Sequence, residues 1–472
     1  MDLNQIVTLL NQVMDAIQTL EKDSTQADMD NAGAKSILLA KQYPIRGHCL
    51  VDKSDFEKKL YIGCLLAFCN SGLNKSMEEN KIYHICRIIA SYEQNIDLTE
   101  YIAQSLKINM KTMQSMIETF DSETILCFSV DMLILYMLEP NNIRRNSYET
   151  ISDIFQFLQM SKNDVRKAAQ IAKCIIEQDF EGLIGEISEK DSINYNCFLG
   201  YFPDNKYTTI VSSFVDIQHL EGNVLVANAQ ISNCHEYFDL SETVATSITF
   251  RNCVFVNIKG FRENEQLVIF DGCKFENNNF DTEDYVLIQG QNILMINTVF
   301  TDIHTSKNIL NISDGKIREC KFVNCQGVDL PCTYLFELNN VEVSKCIFDN
   351  CTMVTIHHFR QYTTGGVFTI ANGFVRECIF DKCIARGEAT SHEQYATFEM
   401  QIVKAINTTV GENKFNNCCC YSDISRGVNV KSYILGLKNS NENGNEFNEC
   451  SSHHYIDGGI RSNYKNYNIG EL

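Results

Sequence analysis

The chain contains no tryptophan and only four prolines in 472 residues. The first absence weakens a carbohydrate-binding reading, because saccharide grooves commonly stack sugar rings on indole faces. The second excludes polyproline linkers and Pro-rich recognition segments. Positive charge is also scarce: 40 Lys and Arg stand against 60 Asp and Glu, a formal net charge of −20, and both halves are acidic. Such a surface repels phosphate backbones, so nucleic-acid binding is not expected. No long hydrophobic run is present either. The most apolar stretch, 125–138, is too short to span a bilayer and carries Asp131 in its middle, so no membrane insertion is expected. The start, Met1, Asp2, Leu3, Asn4, lacks the basic and apolar regions of a secretion signal. There is no Gly-rich phosphate loop, no Gly-x-Ser-x-Gly elbow and no His-Glu-x-x-His.

Cysteine, by contrast, is abundant, with 21 residues. The count is odd, and many cysteines recur at one slot of a repeat. Free thiols in a reducing cytoplasm therefore fit better than a disulfide framework.

The second half repeats a short phrase in which Cys, Phe and Asn sit two residues apart. It reads Cys253, Phe255, Asn257; Cys273, Phe275, Asn277; Cys320, Phe322, Asn324; and Cys346, Phe348, Asn350. It continues at Cys378 and Phe380, at Phe415 and Asn417, and at Phe447, with a weaker copy at Phe300. On a strand all three positions face one side, and the flanking residues are mostly polar. The closing Asn suits a tight bend because it tolerates left-handed backbone angles. The phenylalanines recur every ~20–35 residues, the interval of a stacked solenoid. Over roughly 205–460 these units resemble right-handed parallel β-helix proteins, the pectate-lyase-like superfold. That resemblance implies shape, since one superfold hosts many activities.

The first half reads as helical. Leu3, Ile6, Leu10, Val13, Ile17 and Leu20 form an a/d heptad seam, which points to a partner-binding or dimerisation helix. A polar run from Glu21 to Gly33 reads as a connector. Helices are expected from Ser54 and Asp55, from Ser76, and over 97–106, 110–119, 122–138, 147–159 and 161–178, the last two capped by Ser147 and Ser161. This order over roughly 55–180 is similar to TerB-like helical domains of bacterial stress and phage-defence systems. The acidic metal ligands that the resemblance would imply are not matched, since the loop after Cys69 reads Asn70, Ser71, Gly72, Leu73, Asn74.

Three groups could carry chemistry. Cys-x4-Cys pairs at 320/325, 346/351 and 378/383 resemble metal spacing, but repetition in successive units gives thiol ladders rather than tetrahedral cages. No metal site and no cofactor are expected. In the run 418–420, alternation sends Cys419 to the opposite face from its neighbours. The most varied stretch is His357, His358, Arg360 and Tyr362, with Arg386, Glu388, His392, Glu393 and Tyr395 expected near it in the stack. These are the candidate catalytic residues, on long loops where binding surfaces tend to lie.

The expected architecture is α+β and multidomain: a heptad helix (1–22), a linker (23–53), a helical bundle (54–190), a junction (191–205), a right-handed parallel β-helix (206–460) and a C-terminal tail or cap (461–472). The expected function is that of a non-enzymatic cytosolic scaffold or adaptor. It would bind protein partners, as a homodimer or hetero-complex through the N-terminal helix, within a bacterial stress or defence assembly. The alternative is a carbohydrate-active lyase or hydrolase of the β-helix superfold.

Overall fold

The computed structural model describes residues 26–70, 79–138, 145–187, 194–212, 219–263, 265–280, 286–329, 334–357, 362–389, 397–423, 429–452 and 468–472. The heptad seam Leu3, Ile6, Leu10, Val13, Ile17 and Leu20 lies outside them. Two compact units are present, a helical Met1–Thr208 and a β-rich Thr209–Leu472.

The helical unit contains α1 (Gln26–Gln42), α2 (Asp55–Asn70), α3 (Glu79–Ala90), α4 (Leu98–Ser105), α5 (Met110–Thr119), α6 (Ser122–Met137), α7 (Arg145–Phe157), α8 (Lys162–Glu177), α9 (Phe180–Glu186) and α10 (Asn196–Leu199). Local chemistry starts most of them. The Asp97 and Asn109 side chains accept from the first-turn amides of α4 and α5, and Ser161 and Asp164 form a reciprocal capping box on α8. Ser54 and Glu57 do the same at α2. Two expectations are corrected. Much of the supposed connector is helix α1, because Ile37 and Ala40 supply an apolar edge that packs on Ile82 and Cys86 of α3. Ser147 does not cap α7, which begins two residues earlier at Arg145. Helix α6 is apolar on every side and buried from Leu126 through Leu135, which makes it the centre of the unit.

The β unit is built from parallel strands that pair in register with the same strand of the neighbouring repeat. Asn308–Arg318 lies between Val286–Ile296 and Tyr334–Ser344. Lys321–Val323 lies between Val299–Thr301 and Ile347–Asp349. Gln326–Asp329 lies between His304–Thr305 and Thr352–His357. Among the described residues such pairings build sheets of 23 and 7 strands. The segment read as a tail ends in a strand, Ile469–Glu471, which pairs with Asn429–Lys438.

Single residues in the left-handed region bend or end the strands, and within a repeat these fall at five-residue intervals. Asp314, Glu319 and Asn324 have φ of 61°, 56° and 52°, and Asn340, Lys345 and Asn350 have 53°, 55° and 52°. Asn372, Glu377 and Lys382 repeat the triplet, as do Asn407, Glu412 and Asn417. Asn257 and Asn277 have the same conformation, but the expectation that Asn shares the inward face of Cys and Phe is corrected: the left-handed corner turns it outward, and Asn277 and Asn417 are exposed. Side-chain amides also link neighbouring units: Asn257 Nδ2 donates to Asn233 Oδ1 at 2.9 Å, Asn324 to Asp302 at 3.0 Å and Asn350 to Asn324 at 3.0 Å.

Inside, Phe255, Phe275, Phe300, Phe322, Phe348, Phe380, Phe415 and Phe447 form one stack, with centroids 4.6–5.0 Å apart and planes within 23°. Residues Cys253, Cys273, Cys320, Cys346 and Cys378 are fully buried beside it. These thiols do more than fill space. Cys346 Sγ donates to the Ser344 and Ile317 carbonyls at 3.2 and 3.5 Å, and Cys273 Sγ to the Phe250 carbonyl at 3.2 Å. Where cysteine is absent, Thr298 and Asn413 donate instead, to the Phe270 and Val375 carbonyls at 3.1 Å. The slot requires a small donor, because the corner leaves carbonyls turned inward.

Two consequences can be measured by chemical denaturation. Phe322→Ala interrupts the stack and is expected to cost about 3–5 kcal/mol; a loss below about 1 kcal/mol would show the stack to be a by-product of register. Asn350→Val places a β-branched residue in the left-handed region and is expected to cost at least about 1–2 kcal/mol, whereas Asn350→Gly is close to neutral. Equal effects of the two would remove backbone conformation as the reason for the asparagine.

Candidate functional site

Of the candidate catalytic residues, His358, Arg360, His392 and Glu393, with Tyr395, lie outside the described residues. His357 ends the strand Thr352–His357, and Tyr362 opens the strand Tyr362–Ala371. Arg386 and Glu388 stand two apart on Ile384–Ala389. They face the same side, and Arg386 Nη2 lies 3.1 Å from Glu388 Oε1. The guanidinium also sits 5.8 Å from the Tyr421 ring centroid. Each charge of this pair is thus engaged by its neighbour.

The outer face of the short-strand stack carries a shallow groove of about 640 Å³. Register places Ile347 against Ile379 and Asp349 against Asp381, then Asn416 beside Asp381 and Asn448 beside Asn416. Neighbouring strands are about 4.8 Å apart, so Asp349 and Asp381 present like charges side by side. Asp381 is relieved by Lys382 Nζ at 3.1 Å and by the Asn417 amide at 3.3 Å. Glu449 adds a third carboxylate, and no Lys or Arg is among the described residues that line the groove.

The thiols fall where alternation puts them. Cys418 and Cys420 are buried, while Cys419 is partly exposed and accepts from Ser451 Oγ at 3.2 Å. Among the described residues, no cluster of His, Cys, Asp and Glu is arranged to hold a metal ion.

The most concentrated chemistry lies in the helical unit, around Asp131 of α6. Both carboxylate oxygens are fully buried, and each takes two donors. Oδ2 accepts from His48 Nε2 at 3.0 Å and Tyr61 Oη at 2.7 Å. Oδ1 accepts from His84 Nε2 at 3.1 Å and Tyr201 Oη at 2.6 Å. A carboxylate only accepts, so each ring nitrogen facing it carries a proton. Burial by itself would raise the Asp131 carboxyl, but the hydrogen bonds and charges of His48 and His84 outweigh it and hold the group well below the ordinary carboxylate range. Tyr61 and Tyr201 are pushed well above their ordinary value by burial and by the Asp131 charge, which keeps them as neutral donors.

Five segments converge here: α2 brings Tyr61, α3 His84, α6 Asp131, the stretch before α2 His48, and the stretch after α10 Tyr201. The last two are joined by an isolated antiparallel bridge between Arg46 and Gly200. Gly200 has no alternative, since a Cβ would lie 2.0 Å from the Arg46 carbonyl oxygen. Gly47 turns the chain at φ 69°, and the Leu50 amide donates to His48 Nδ1 at 3.2 Å.

No family model, curated protein or solved structure matches the chain. The pectate-lyase-like and TerB-like resemblances therefore gain no further support from known proteins. Sequence reasoning registered Asp131 only as an obstacle to membrane insertion and passed over His48, His84, Tyr61 and Tyr201. The available signal was the charge itself: an acid within an all-apolar helix must find partners.

Asp131→Asn turns an acceptor into a partial donor facing four donors, and at pH 7 it is expected to cost about 3–5 kcal/mol in urea unfolding of the full chain. Because folding depresses this carboxyl, its contribution is complete above the unfolded value of about 4 and fades as pH falls below it. The gap between wild type and variant should accordingly narrow below about pH 4. A gap that is constant down to pH 3 would mean that the buried group is not the anion described.

Proposed function

We propose that this protein is a non-enzymatic scaffold or adaptor, and that its β unit is a rigid platform presenting an acidic strip to a basic segment of a protein partner. The observation that carries the reading is the groove face: Asp349, Asp381 and Glu449 around the Ile347 and Ile379 pair, without a basic residue in the described lining. Lys382 offsets part of the repulsion between the stacked carboxylates, and a lysine or arginine laid across the strip offsets the remainder. The repeats wind as a right-handed parallel β-helix in this reading. Support comes from the three in-register strand stacks, the five-residue corners and the strong right-handed preference of parallel crossovers. Free thiols throughout the described residues support a reducing compartment, the cytoplasm. Among those residues no helix is long and apolar enough to cross a membrane. The pairing of Arg386 with Glu388 favours display over acid–base work on that face.

The second recruiting element is the heptad seam of 1–22, through which the chain forms a homodimer or a hetero-complex. Its association would place the acidic platforms within one assembly, of which bacterial stress or defence complexes are the class suggested by the TerB-like order of helices.

Both parts can be tested on the full chain. A synthetic peptide alternating Lys or Arg with apolar residues is expected to bind at low salt and to weaken as salt rises. The variant Asp349→Lys/Asp381→Lys should lower its affinity about tenfold or more, as two attractions become repulsions. Equal binding by wild type and variant in fluorescence anisotropy, or none by either, would remove the acidic strip as a docking surface. In light scattering, Leu10→Asp/Ile17→Asp should halve the mass of a homodimer while leaving the β-sheet circular dichroism intact. A dimer that survives the double substitution places those residues in the core of the bundle.

A further inference from the structure

We propose that Cys49 is a peroxide-reactive thiol that passes its oxidation to the buried pair Cys127 and Cys197. The site is independent of the acidic strip and lies within the helical unit. Cys127 of α6 and Cys197 of α10 are both buried, and their sulfurs are 3.0 Å apart. A disulfide bond is about 2.05 Å, so about 1 Å of movement closes it. Both thiols are free. Cys49, on the stretch pinned by the Arg46–Gly200 bridge, is partly exposed, and Cys127 is among the groups that lower its thiol. It therefore lies between solvent and the buried pair.

The same stretch supplies a base. His48 Nδ1 lies 3.8 Å from Cys49 Sγ. Burial would lower His48, but the adjacent Cys49 and Asp131 outweigh it and raise it to about 10, so the ring holds the thiol proton at neutral pH. Asp131 then faces an imidazolium, which its charge stabilises. Burial would raise the Cys49 thiol, but Cys127 and the adjacent His48 outweigh it, with Asp131 opposing, and lower it to about 6. Partial exposure admits a small oxidant, and hydrogen peroxide is the class that fits.

The Cys49 thiolate attacks one peroxide oxygen. An S–O bond forms, the O–O bond breaks, and the departing hydroxide takes the proton held by His48 and leaves as water. Cys127 sulfur then attacks the Cys49 sulfenic sulfur; an S–S bond forms, the S–O bond breaks, and hydroxide leaves with the Cys127 proton as a second water. Cys197 sulfur attacks Cys127 and expels Cys49 thiolate, which recovers the Cys197 proton. The net change is two thiols and one peroxide to one disulfide and two waters.

The test uses the reduced full-length chain, treated with hydrogen peroxide at neutral pH, alkylated and mapped by peptide mass spectrometry. A Cys127–Cys197 cross-link is expected, forming about tenfold more slowly or worse in Cys49→Ser. In Cys197→Ser the reaction should halt at a Cys49–Cys127 cross-link. Brief iodoacetamide treatment of the unmutated chain gives a reading free of folding effects: Cys49 should be alkylated about tenfold faster than Cys127 or Cys197. Equal cross-linking rates with and without Cys49, oxidation confined to Cys234, Cys419 or Cys450, or equal alkylation of the three thiols would overturn the proposal.

Discussion

The β unit depends on a single backbone constraint: in each repeat the chain turns through left-handed residues spaced five apart, and the turns leave carbonyls directed inward. Asparagine meets the first demand at lower cost than most residues. A small buried donor meets the second, whether it is the thiol of Cys346, the hydroxyl of Thr298 or the amide of Asn413. Register follows, because neighbouring units can pair only when corner lies above corner. The phenylalanine stack is then the consequence of register and also its lock, with rings 4.6–5.0 Å apart along the unit.

The helical unit solves a different problem with the same economy of polar groups. Helix α6 is apolar all round and would bury anywhere, yet Asp131 makes its position specific. The carboxylate accepts four hydrogen bonds from four other segments, and losing any one donor leaves a buried charge less compensated. Such a group adds specificity of assembly more than net stability, since the cost of desolvating the ion offsets much of the attraction. Its second effect is on His48, whose far nitrogen is left facing Cys49.

The two units therefore present two kinds of surface chemistry. On the β unit, in-register stacking multiplies one side chain into a strip, so that Asp349 and Asp381 act together. In the helical unit, residues far apart in sequence meet once: Cys127 and Cys197 come together at the central helix, and the Arg46–Gly200 bridge holds the stretch that carries Cys49. Repetition yields a strip of like side chains, and convergence yields a single cluster.

By itself the sequence determined the division into an all-helical and a parallel-β half, the inward Cys and Phe positions, the Asn corners, and most helix starts. Those features are local or periodic: a capping side chain acts within four residues, and a period of two fixes which face of a strand is buried. The five-residue corner was present in the sequence but masked, because Glu319, Lys345 and Glu377 occupy corners that no residue preference marks. Helix α1 was hidden for a similar reason, since a polar helix with one buried edge reads like a linker. Only the tertiary structure decided the Asp131 network and the thiol cluster. Tyr61, His84 and Tyr201 lie 47 to 70 residues from Asp131 and His48 lies 83 away, and no local pattern joins them. What brings them together is the requirement that a charge placed in an apolar core find its partners there.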